Sequence, residues 1–134
     1  MRKVFTCLFV MSFIFIFTGC QKPLEDKDYK DFNHLDHWDD VSNVSNVETL
    51  IFYYSPYCAI SRSIEDEVTE YLVILENEGI PVYLVHEGLI FEQGVQPVEI
   101  IETPSILIYN HNQYVEKISG SIPVLDYLKA RIDD

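Results

Sequence analysis

Apolar residues run without a charge from Val4 to Phe17 behind Met1-Arg2-Lys3, and then give way to residues 21–31, QKPLEDKDYKD, where no apolar period survives. A basic start before an uncharged apolar segment is the layout of a secretory signal, and the segment is shorter than the roughly 20 residues a membrane-crossing helix needs. The polar stretch behind it reads as a tether. From His34 to Val47 the spacing of Leu35, Trp38, Val41 and Val44 predicts a helix.

The period then changes twice. Leu50 to Tyr54, LIFYY, is a short run of β-formers without polar interruption, which predicts a central strand buried on both faces. Ile60, Ile64, Val68, Leu72 and Leu75 recur every three or four residues with acids between them, which predicts one long amphipathic helix that starts directly after Cys58. Gly79 and Pro81 stop it. Pro81 to Val85 predicts a second strand, and a looser stretch over residues 86–102 holds a short helix near Pro97 to Ile101. Ser105 to Tyr109 and Tyr114 to Ile118 read as a hairpin turned at Asn110-His111-Asn112, residue types that tolerate left-handed backbone. A last helix spans Ile122 to Ile132, with Ser121 as N-cap, Pro123 in its first turn and Lys129 and Arg131 in its last.

With 134 residues, part of them a leader, there is room for one small domain. Charge sharpens the picture: 22 acidic residues stand against 9 basic ones, and two of the basic residues, Arg2 and Lys3, lie in the leader. Nucleic acid is therefore a poor partner, and the acidity reads as a solvated surface that keeps the domain soluble. His34, Asp36, His37, Asp39 and Asp40 lack the spacing of a defined ligand set, so they read as a solvated acidic helix start, and no metal or cofactor is expected.

The chain has three cysteines. The leader ends in Phe17-Thr18-Gly19-Cys20, which resembles the bacterial lipobox, with Phe17 where Leu is usual; that resemblance implies acylation of Cys20 and attachment to the extracytoplasmic side of the cell membrane. More than one acyl chain, palmitate for example, anchors stably where a single chain does not. A plain secreted protein cut nearby and an uncleaved anchor are the competing readings. If Cys7 leaves with the leader and Cys20 is acylated, Cys58 is the only free thiol, and no internal disulfide can form. The expected organisation is a signal peptide over 1–19, a lipidated tether over 20–31 and one folded domain over 32–134.

The order of elements, with the residues at its joints, resembles the thioredoxin superfamily over residues 48–132. The segment from Ile51 to Cys58, IFYYSPYC, resembles the strand and loop that lead to a thioredoxin cysteine, with Tyr57 where Trp is usual; Thr103-Pro104 before a strand resembles the family's cis-proline, and Gly120 its terminal glycine. The resemblance implies an α/β thioredoxin-like fold with a central mixed sheet flanked by helices. It also implies that Thr103 and Pro104 lie against the Cys58 loop and, with Tyr57, grip an extended peptide. In thioredoxins a second cysteine three residues on resolves the mixed disulfide. Here that position is Ser61, a CxxS motif, and the buried acid six positions before the cysteine in many reductases is Phe52.

A cysteine at a helix start favours its thiolate, since unpaired backbone N–H groups stabilise negative charge. Ser61 can hydrogen-bond that thiolate but cannot resolve a disulfide. The leading expectation is a membrane-tethered protein that exchanges or holds disulfides with a protein or peptide substrate through Cys58 alone. The alternative is a non-catalytic binding or accessory module, as in peptide or bacteriocin export, that recognises an extended peptide or partner protein. A monothiol glutaredoxin-like iron–sulfur carrier fits poorly, because the leader points outside the cytoplasm and no glutathione-site signature is present. Arg62 reads as a solvent-facing surface charge beside Cys58, and the chain names no substrate.

Overall fold

A computed structural model describes residues 26–89 and 102–134. The leader, Cys20 with the first part of the tether, and the helix expected near Pro97 to Ile101 lie outside the described residues.

Among the described residues four strands form one mixed sheet in the order β2-β1-β3-β4, with β1 Thr49–Tyr54, β2 Val82–His86, β3 Ser105–Asn110 and β4 Gln113–Ser119. The strand β1 pairs parallel with β2 and antiparallel with β3, which in turn pairs antiparallel with β4. Every residue of β1 is buried, as its unbroken apolar run requires of a strand covered on both faces. The period of two then sorts the core. Leu50, Phe52 and Tyr54 pack on one face with Val68, Leu72, Leu75, Val124 and Leu128; Ile51 and Tyr53 pack on the other with Leu35, Val41, Val85 and Leu107. The β3–β4 turn has positive φ at both His111 (49°) and Asn112 (60°), the backbone whose twist suits a tight hairpin.

Helices whose whole span lies within the described residues are α1 Val41–Val44, α2 Ala59–Ser63, α3 Glu65–Asn77 and α4 Ser121–Asp133. Gly79, at φ 89°, ends α3 in a Schellman motif: its N–H donates to the Glu76 carbonyl and the Ile80 N–H to the Leu75 carbonyl, both at 3.0 Å. Gly120, at φ 95°, is the N-cap of α4, so Ser121 is the first helical residue rather than the cap.

Three expectations change. The helix over His34 to Val47 shrinks to a 3-10 turn, Trp38–Asp40, and α1, because His34 is drawn into a parallel bridge with Leu84. The Leu35 N–H donates to the Leu84 carbonyl (3.1 Å) and the Leu84 N–H to the Asn33 carbonyl (2.8 Å), so edge groups of β2 take the backbone that a helix would have used. The tether ends earlier than residue 31. Tyr29 heads a 3-10 turn, Tyr29–Asp31, and is 4% exposed, its ring packed on Phe52 and Tyr54 with centroids 5.2 and 4.7 Å away. Finally, the single long helix is two, parted at Ile64 (φ −108°, ψ 4°). The Tyr29 hydroxyl donates to the Ser61 carbonyl (3.0 Å), and the Ser63 hydroxyl donates to the Ile60 carbonyl (2.8 Å), so groups from outside the backbone ladder serve the turn where the helix breaks.

Candidate active site around Cys58

Strand β1 ends at Tyr54 and delivers the chain to a tight loop, Ser55-Pro56-Tyr57-Cys58, closed by the Cys58 N–H donating to the Ser55 carbonyl (3.1 Å). The Ser55 hydroxyl accepts from the Tyr57 N–H (3.3 Å) and stiffens the same turn. Cys58 is extended (φ −79°, ψ 118°) and caps α2, so the free N–H groups of that first turn face its sulfur. Among the described residues Cys58 is the one cysteine, a free and partly exposed thiol.

The Thr103–Pro104 peptide bond is cis, and Thr103 lies beside the thiol. The Pro104 carbonyl accepts from the Gly120 N–H (2.9 Å), so the start of α4 braces the proline loop from behind. Thr103, Pro104, Cys58 and Ser61, separated by some 40 residues of chain, thus meet at one end of the sheet.

The surroundings hold the Cys58 thiol below the ordinary thiol range. The Ser61 N–H contributes most; partial burial opposes it, and the Ser61 hydroxyl, the Thr103 hydroxyl and the Ile60 N–H add to the lowering. None of these closes as a capping hydrogen bond on the neutral side chain, and they stand as donors for the charge of the thiolate. The Ser61 hydroxyl is the clearest of them: Ser61 is fully buried and its Oγ has no partner among the described residues. A buried hydroxyl left unpaired is costly, and the nearby sulfur, once ionised, is the acceptor that relieves it.

Around this centre the surface is apolar. Tyr57 is 92% exposed and Ile60 is 53% exposed, although Ile60 belongs to the stripe that the helical period marks as core. The break at Ile64 explains this, since only the stripe residues from Ile64 onward turn into the core. Phe52, where many reductases carry an acid, is fully buried against Tyr29 and Tyr54. His34 is no candidate ligand in this geometry. Its Nδ1 lies 2.9 Å from the Phe32 carbonyl, which fixes a proton there, and its Nε2 accepts from the Tyr54 hydroxyl at 2.8 Å.

Cys58, Ser61 and Thr103 stand together as the chain led one to expect, with Pro104 cis next to Thr103 and Tyr57 exposed in the loop before Cys58. Tyr29 escaped that expectation, because one tyrosine in a polar run carries no period; its only signal was being aromatic among charges.

A mixed sheet with a cysteine at a helix start and a cis-proline beside it defines a protein of thioredoxin-like fold. No protein-family model matches the chain, and no curated protein sequence matches it. Among solved structures it is similar to the thioredoxin Mala s 13 of Malassezia sympodialis (TM-score 0.57, 15% identity, covering 82% of this chain and 93% of that one). It is also similar to a chain solved in work on thiol resolution in a yeast mitochondrial 1-Cys peroxiredoxin by the glutathione and thioredoxin systems (TM-score 0.56, 18% identity, 81% and 99% covered). A third is in a complex of ferredoxin:thioredoxin reductase with thioredoxin f2 (TM-score 0.50, 19% identity, 75% and 91% covered). At these identities the shared property is the fold.

Proposed function

We propose that this is a thiol–disulfide protein with one working sulfur, held at the extracytoplasmic face of the membrane through acylated Cys20. The observation that carries the redox reading is the ring of donors about Cys58, from the Ser61 N–H and hydroxyl, the Thr103 hydroxyl and the Ile60 N–H. The leader pattern supports the location. The similar structure in which a thioredoxin meets its reductase supports a protein as the partner.

The Cys58 thiolate attacks one sulfur of a partner disulfide. A Cys58–partner disulfide forms, the partner's own S–S bond breaks, and the second partner sulfur leaves with the electron pair as thiolate. In a two-cysteine protein the residue at position 61 then attacks Cys58. Ser61 has no sulfur and can only donate its hydroxyl, so nothing within this chain resolves the mixed disulfide; a thiolate of the partner or of a third molecule attacks the Cys58–partner bond, forms a new disulfide with one of its two sulfurs, and the other leaves as thiolate.

The test is to mix the folded protein with a peptide whose single cysteine carries a 2-thiopyridyl disulfide: Cys58 bonds to the peptide sulfur, and the thiopyridine leaves with the electron pair, takes a proton and does not attack back. A Cys58 adduct is expected to accumulate and to be released only when a second thiol is added, while Ser61→Cys releases the peptide unaided. No adduct, or release by the unmodified protein without added thiol, would contradict the proposal. The exposed Tyr57 next to Cys58 in the loop favours one second reading, a binding module that grips an extended peptide without chemistry. On that reading Cys58→Ala keeps partner affinity and Thr103→Arg loses it.

A further inference from the structure

Of the five residues of α2 only Ser61 is buried, so the helix that carries donors for Cys58 has no apolar side chain in the core to hold it. A helix this short is not stable by itself, and its position is set by what touches it. One contact on Ser61 comes from the N-terminal segment. The Tyr29 hydroxyl donates to the Ser61 carbonyl (3.0 Å) on the α2 side of the break at Ile64, and the Tyr29 N–H donates to the Glu65 carboxylate (3.0 Å) on the α3 side. Tyr29 thus bridges the break with both of its donors.

Tyr29 is itself fixed. Its ring lies against Phe52 and Tyr54 of β1, and its 3-10 turn is closed by the Asp31 N–H donating to the Asp28 carbonyl (3.0 Å) and the Asp28 N–H donating to the Asp31 carboxylate (2.9 Å). Lys27, just ahead, pairs with Glu76 of α3 (3.0 Å) and stands over the Phe32 ring. Burial most of all, then the acidic neighbours Glu65, Tyr54 and Asp66, push the Tyr29 phenol well above its ordinary value, so the hydroxyl keeps the proton it donates throughout the range in which a thiol titrates. Ser61 carries the other half of the link. Its N–H and hydroxyl both act on the Cys58 sulfur, the hydroxyl is buried without a partner among the described residues, and both belong to the residue whose carbonyl Tyr29 holds.

We infer that Tyr29 is a positioning residue for Cys58: by tying the Ser61 carbonyl to the Glu65 carboxylate it keeps the Ser61 N–H and hydroxyl aimed at the sulfur, and the N-terminal segment thereby sets how good a nucleophile Cys58 is. The inference rests on the exchange reading above, and it adds that the reactivity of the thiol is governed from a segment outside the sheet and helices that carry the site.

The test is the midpoint of Cys58 alkylation by iodoacetamide against pH in folded variants of the full chain, read by mass on the peptide that holds Cys58. Tyr29→Phe keeps the ring and loses the hydroxyl. Its midpoint should rise by about half a unit to one unit, within what hydrogen bonds to a charged group are worth. At a pH below the midpoint, attack on the 2-thiopyridyl peptide should then slow only about twofold to threefold, because the more basic thiolate regains part of what its smaller population loses. Leu72→Ala, which loosens α3 without touching these bonds, should leave the midpoint where it is. An unchanged midpoint in folded Tyr29→Phe, or an equal rise in Leu72→Ala, would overturn the inference. Should Tyr29→Phe fail to fold, Glu65→Ala decides. It frees the Tyr29 N–H and removes a negative charge, and the lost charge alone would lower the midpoint, so a rise supports positioning and no rise overturns it. Because alkylation needs no partner, the two failures stay distinct: an exchange-active protein with an unmoved Tyr29→Phe midpoint sinks this inference alone, whereas no reaction of the unaltered protein with the peptide overturns exchange.

Discussion

Helices α2 and α3 are continuous in sequence pattern and opposite in use. In α3 the stripe of Val68, Leu72 and Leu75 is fully buried between the sheet and α4; in α2 the corresponding residue, Ile60, is mostly exposed beside Cys58. A single hydrophobic period therefore serves two ends. After the break at Ile64 it fastens the helix to the core, and before the break it offers an apolar surface next to the thiol. The difference teaches that α2 is held less by its own burial than by what surrounds it: the Tyr29 hydroxyl on the Ser61 carbonyl, the Thr103 loop and the start of α4 behind Pro104.

The sharpest way to break the contrast is truncation in the two helices. Leu72→Ala should cost about 2–5 kcal/mol in denaturant unfolding, because it removes a buried side chain from a packed layer. Next in size is the joint between them. Tyr29→Phe keeps the ring packing but leaves the Ser61 carbonyl without its hydroxyl donor, and a loss of about 1–3 kcal/mol is expected in the same measurement. The smallest effect is the most telling: Ile60→Ala should shift stability by about 0.5 kcal/mol or less, as an exposed site does, yet weaken capture of a peptide at Cys58. Equal costs at Ile60 and Leu72 would show that the two helices are one packed unit.

Local signals in the chain were legible wherever a residue's own backbone chemistry decides the outcome. Gly79 ends α3, and His111 and Asn112 turn the hairpin; Pro104 takes the position that the family resemblance implied. The same holds for β1, whose apolar run needed both faces covered. What stayed hidden depends on partners distant in sequence. His34 and its neighbours fit a helix by spacing, but the open edge of β2 at Leu84 claims their backbone. Tyr29 looks like tether until Phe52 and Tyr54 supply its surroundings. The break at Ile64 has no proline or glycine to announce it, and the hydroxyl that serves it comes from residue 29. Within the site the identities of Cys58, Ser61, Thr103 and Pro104 could be read from the chain, whereas the burial of the unpaired Ser61 hydroxyl and the side-chain role of Thr103 needed the fold.

Because the folded protein lowers the Cys58 pKa, the thiolate adds to stability in full above the value of the unfolded thiol, and the contribution is lost as pH falls from there through the lowered folded value. The direct measurement is the rate of Cys58 alkylation against pH, in the native protein and in denaturant, with Thr103→Val alongside. The donor ring predicts a native midpoint below that of the unfolded chain, which moves up in Thr103→Val and reaches the free-thiol value on unfolding. A native midpoint at or above that of the unfolded chain would contradict it, and with it the claim that this site is built to make Cys58 a nucleophile.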